Sequence, residues 1–114
     1  MDQKAIISIA EKYADLATQV LPVKKVYLFG SYAKGTADSD SDIDLAVIVE
    51  KIEGDILEPR VKLVELTHLV DIRIEPILLE EARNRSGFIE TVVRSGRQIY
   101  PKLSQQHLDP PALP

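Results

Sequence analysis

Apolar side chains recur at Ile6, Ile9, Tyr13, Leu16 or Ala17, and Val20. Steps of three and four residues lay one stripe along a helix, predicted over 4–20 and ended by Pro22. Residues 24–29 are short, β-branched and aromatic and stop at Gly30, which reads as a strand. Residues 30–41 hold two Gly, three Ser and two Asp. They predict a loop with room for one helical turn. Alternation returns over 42–49. Ile43, Leu45, Val47 and Val49 fall on one face of a strand, and Asp42, Asp44, Ala46 and Ile48 on the other.

A turn is expected around Gly54 over 51–55. From Ile56 onward Val61, Val64 and the run 66–69 suit a helix, with Pro59 tolerated in its first turn. A third strand is expected over 69–78, with Val70, Ile72 and Ile74 on one face and Asp71, Arg73 and Glu75 on the other. Short helices over 80–85 and 88–94, the second ended by Gly96, and a closing strand at 98–100 complete the order. Residues 104–114 carry three Pro and two Gln and are expected to be a disordered tail. The expectation is one domain over 1–103, of α/β (α+β) class. It is a small mixed sheet with helices packed on one face and carboxylates on the open one.

Composition narrows the function classes. A chain of 114 residues with 45% hydrophobic and 28% charged content can build one core. Its net charge of -4 argues against general nucleic-acid binding, which needs a basic face. The absence of Cys removes disulfides, thiolate metal sites and a Cys nucleophile. No apolar run approaches the roughly 20 residues of a membrane helix, and residues 1–9 lack the plan of a signal peptide. A cytoplasmic location, without membrane contact, is the expectation these features leave.

The chemistry is concentrated between Gly30 and Leu45. A Walker A loop does not fit, because Lys34 precedes Gly35. A dinucleotide fingerprint needs a third Gly. Asp38, Asp40 and Asp42 imitate an EF-hand start, but Ile43 and Val49 stand where Gly and Glu are needed. What remains is Gly30-Ser31 at the end of one strand and Asp42-Ile43-Asp44 opening the next. Two residues apart on a strand, the two Asp point the same way with Cα atoms about 6.6 Å apart. Their carboxylates can converge on divalent cations about 3.5–4 Å apart, the spacing of two-metal phosphate chemistry. Gly30 lets backbone approach a phosphate, the Ser31 hydroxyl and nearby N–H groups can donate to it, and Lys34 can reach it as a point charge.

Gly-Ser, ten residues and then Asp-x-Asp resembles the signature of the minimal nucleotidyltransferases, a branch of the DNA polymerase β-like superfamily. The resemblance covers about 24–100. It implies a polymerase β-like nucleotidyltransferase fold, two Mg²⁺ ions, ATP as substrate, and transfer of AMP to a hydroxyl with loss of pyrophosphate. It also implies a third carboxylate on a neighbouring strand, and Asp71 sits at the matching place. Asp42, Asp44 and Asp71 are then the catalytic and metal-binding set, and Gly30, Ser31 and Lys34 the nucleotide-binding set. Many such proteins pair with a helical HEPN-class toxin. The resemblance therefore implies an antitoxin that places AMP on a toxin tyrosine, within a homo- or hetero-oligomer.

Plainer readings stand beside these. Asp42 and Asp44 could be solvated carboxylates at a turn. Asp71 could pair with Arg73, with Glu75 on the same face as the competing third carboxylate. Lys34 could be a solvated loop lysine, and His68 and His107 incidental. About 75 residues suffice for the catalytic sheet, so an acceptor is expected to bring its own structure. The sequence also leaves open two other functions: an antibiotic-type enzyme acting on a small molecule, and a non-enzymatic antitoxin that only covers its partner.

Overall fold

The computed structural model describes residues 3–37 and 41–102. Helix α1, Gln3–Val20, buries Ile6, Ala10, Tyr13, Ala14 and Ala17; Ile6, Tyr13 and Ala17 belong to the expected stripe, whereas Ile9 is half-buried and Val20 exposed. Strand β1 is Val23–Phe29, the helical turn α2 is Ser31–Lys34, and strand β2 is Ile43–Val49. Helix α3, Leu57–Val70, is followed by strand β3, Ile74–Glu80. A single 3-10 turn at Glu81–Arg83 stands where a helix over 80–85 was expected. Helix α4, Phe88–Ser95, is capped by Gly96, and β4, Arg97–Tyr100, closes the fold.

The four strands form one mixed sheet in the order β3-β2-β1-β4. β1 runs antiparallel to both β2 and β4, whereas β2 and β3 are parallel. A parallel pair needs a crossover, and α3 supplies it. Helices α1 and α3 cover one face, over Ile43, Leu45, Val47 and Val49 of β2. The Tyr13 hydroxyl ties the two helices by donating to the Leu63 carbonyl at 2.6 Å, and burial raises the pKa of this phenol. The second face is not wholly open. Ile89 and Val92 of α4 pack there on Tyr27, Ala46 and Ile48. They cover the later half of β2 and leave the Asp44 end uncovered.

The expected third strand begins too early. Helix α3 continues to Val70, with Leu63, Leu66, Thr67 and Val70 turned inward at steps of three, one and three. Asp71 is its C-cap in extended conformation, and the Ile74 N–H closes a turn on the Asp71 carbonyl at 3.1 Å. Leu69 and Ile72, whose apolar character suggested a strand, are 68% and 77% exposed. Asp38, Asp40 and the expected tail over 104–114 lie outside the described residues. Among the described residues no helix is long and apolar enough to cross a membrane.

Candidate active site

At the end of β1 the chain must reverse within a few residues. Gly30 does this at φ 76° and ψ -152°, and Gly35 ends α2 at φ 77°. Both values favour glycine. The Lys34 and Thr36 N–H groups donate to the Gly30 and Ser31 carbonyls at 3.1 and 3.0 Å. Tyr32, buried in the core, anchors the turn. Ser31 and Lys34, three apart, share one side of α2. Lys34 is exposed and, among the described residues, makes no ion pair.

Asp42 lies exposed just before β2, and Asp44 is half-buried within it. Asp44 is paired across β1 with Phe29 and across β3 with Glu75. Its carboxylate lies against the backbone of Gly30. A Cβ at position 30 would stand 2.3 Å from Asp44 Oδ2. The two halves of the motif are therefore in contact, and only glycine permits the fit. Burial raises the Asp44 pKa above the usual carboxylate range, with smaller contributions from the negative charges of Glu75 and Asp42.

Asp71 is not brought to this pair. Three residues before β3, it is gripped by Arg73: Nε donates to Oδ1 at 3.0 Å and Nη2 to Oδ2 at 2.7 Å. The Arg73 N–H adds a bond to Oδ1 at 2.9 Å. This bidentate pairing holds the Asp71 carboxyl below its usual pKa range and raises the guanidinium. Glu75 is the acid level with Asp44. The signal for it was the continuing helical spacing at Thr67 and Val70, which moves the strand start past Arg73.

The arrangement fits magnesium without being a finished cage. Three like charges gather at one end of the sheet, and a cation would relieve the repulsion that contributes to the raised Asp44 pKa. Among the described residues no three His, Cys, Asp or Glu stand close enough to hold a metal alone. Magnesium needs only one or two carboxylates when phosphates and water complete its shell. A groove of 530 Å³ lies at the other end of the sheet, lined by Val20, Pro22, Lys51 and Ile52 among others.

A strand–Gly-Ser turn–strand carrying paired carboxylates on a mixed sheet is the plan of a nucleotidyltransferase. The family profile described as "Polymerase beta, Nucleotidyltransferase" matches residues 4–105. The chain belongs to that family. It is 30% identical over 100 residues to MJ0141 of Methanocaldococcus jannaschii, provisionally named a protein adenylyltransferase, covering 82% of this chain and 98% of that one. It is 33% identical over 76 residues to protein adenylyltransferase MntA of Thermococcus cleftensis, covering 63% of this chain and 70% of that one. Among solved structures, a toxin–antitoxin complex with AMP-PNP superposes with a TM-score of 0.59 at 26% identity, covering 86% of this chain and 78% of that one.

Proposed function

We propose that this nucleotidyltransferase moves AMP from ATP onto a hydroxyl of a protein acceptor, a tyrosine of a HEPN-class toxin, and so acts as an antitoxin. The observation that supports the reading is the contact between Gly30 and the Asp44 carboxylate, which sets the Gly30-Ser31 turn beside an acid group. Relatives named for protein adenylylation, and the likeness to a toxin–antitoxin complex holding AMP-PNP, support the acceptor class. The exposed setting of Asp42 and Glu75 suits a folded acceptor that brings its own structure better than a small molecule, which needs an enclosing pocket.

Ser31 and the first-turn N–H groups of α2 donate to the oxygens of the leaving pyrophosphate, and Lys34 neutralises part of its charge. Asp42, Asp44 and Glu75 would hold the magnesium ions, which supply neutralisation of phosphate charge and activation of the attacking hydroxyl. A carboxylate of this group accepts the hydroxyl proton. The acceptor oxygen bonds to the α-phosphorus, the bond from the α-phosphorus to the bridging oxygen breaks, and pyrophosphate leaves. The protein's part is placement and electrostatics.

The test is mass spectrometry of a HEPN-class protein from the same organism, after incubation with this chain and MgATP. The expected result is an added AMP on one tyrosine, lost when that tyrosine is replaced by Phe. A toxin neutralised with no added AMP would favour the purely binding antitoxin. AMP found only on a small hydroxyl compound would favour the antibiotic-type enzyme.

A further inference from the structure

Beside the carboxylates lies an apolar shelf that the proposed transfer has not yet used. Phe29 is the cross-strand partner of Asp44, so the two side chains leave the sheet on the same face as near neighbours. Ile77 lies two residues beyond Glu75 on that face, opposite Ala46, and is 36% exposed. Phe88 opens α4 and meets Phe29 edge to face, with ring centroids 6.0 Å apart at 83°. It keeps 37% of its surface exposed, although Ile89 and Val92 of the same helix are buried.

The backbone that carries Phe88 is held in place. Gly87 turns the chain at φ 75° immediately before it. The Ser86 hydroxyl accepts from the Phe88 N–H at 3.3 Å. Asn84 accepts from the Ile89 N–H at 3.3 Å and donates to Glu90 at 2.7 Å. A part-exposed aromatic ring on the carboxylate face is suited to stacking.

We infer that Phe88, backed by Phe29, stacks the base of the bound nucleotide. The inference rests on the phosphate-transfer reading of Gly30-Ser31 and the acids. Phe29 adjoins Gly30, so a triphosphate seated on the turn has its α-phosphate beside Asp44. Cross-strand neighbours are about 5 Å apart, and Phe88 lies one ring further out, a position a ribose-linked base can reach. Stacking tolerates any base because each presents a π-face, so the shelf contributes affinity with little base selection.

Calorimetric titration of the intact chain with MgATP and with magnesium tripolyphosphate, which lacks a base, tests this. Phe88→Ala should weaken ATP binding about 10-fold, a typical loss for one stacked base, and leave tripolyphosphate binding unchanged. Phe88→Tyr should restore ATP binding. Equal ATP affinity in Phe88→Ala and wild type would overturn the inference. So would equal weakening of both ligands, which would mark Phe88 as merely structural. A wild-type chain that binds neither ligand would bring down the phosphate reading and the shelf with it. Loss of ATP alone separates the shelf from that deeper failure.

Discussion

Glu75 stands opposite Asp44 in the parallel ladder between β3 and β2. Side chains of paired residues in a ladder leave the same face. Glu75 therefore lies beside Asp44, whereas Asp71 is three residues before β3 begins and committed to Arg73.

Glu75→Gln should lower transfer of AMP at least ~100-fold, as loss of one charge from a two-metal site does. Asp71→Asn should retain most of the activity. Rates of AMP incorporation for the two variants, measured beside their melting temperatures, decide between them. A dead but folded Asp71→Asn with an active Glu75→Gln would return the third position to Asp71.

Asp44 carries a stability cost. Its folded pKa is raised, mainly by burial, so the folded state binds its proton more tightly than the unfolded chain. Stability then falls as pH rises from the unfolded carboxylate range through the folded pKa, and stays lowered above it. Asp44→Asn should raise the melting temperature at pH 7 in EDTA by roughly 2–4 °C, after allowing for solvent screening of a half-exposed group. The gain should vanish below about pH 3, where the carboxyl is protonated in both states. Thermal melts of both proteins from pH 3 to 8 check the sign.

The Asp71–Arg73 pair works in the opposite sense. A lowered folded pKa contributes stability above the unfolded value, and this is lost as pH falls through the folded one. Asp71→Ala should cost on the order of 1–2 kcal/mol at pH 7, because a charged, bidentate hydrogen-bonded pair is broken at a partly exposed site. The difference should shrink towards zero in acid. Urea unfolding at pH 7 and pH 3 measures it.

Gly30→Ala should damage the site directly. The new Cβ meets Asp44 Oδ2, and φ 76° is strained for any side chain. A cost of about 1–3 kcal/mol in stability is expected. Displacing Asp44 should also slow transfer on the order of 100-fold. Steady-state rates and thermal melts read the two effects separately. Wild-type behaviour in both would mean that the turn can shift away from Asp44 without consequence.

The sequence made the elements legible where one period was clean. Alternation at Ile43, Leu45, Val47 and Val49 predicted β2 and which way Asp44 faces. The stripe from Ile6 to Val20 predicted α1. The Gly30-Ser31 and Asp42, Asp44 spacing pointed to one geometry, and the fold sets Gly30 against Asp44. Around residues 69–74 two patterns overlapped. Leu69, Val70, Ile72 and Ile74 alternate with polar residues as a strand would, yet Leu69 and Ile72 are exposed and Val70 closes α3. That overlap displaced the expected strand start, and the acid level with Asp44 is Glu75. Phe88 was legible only as apolar, because its exposed setting beside Phe29 depends on how α4 crosses the sheet.

The most direct test of the account is transfer of α-labelled AMP to the partner protein with magnesium or with EDTA, by wild type, Asp42→Asn and Asp44→Asn. Label is expected on the partner only for wild type with magnesium, with a loss of at least ~100-fold for each variant although both remain folded. Full incorporation in EDTA, or by a folded Asp44→Asn chain, would contradict it.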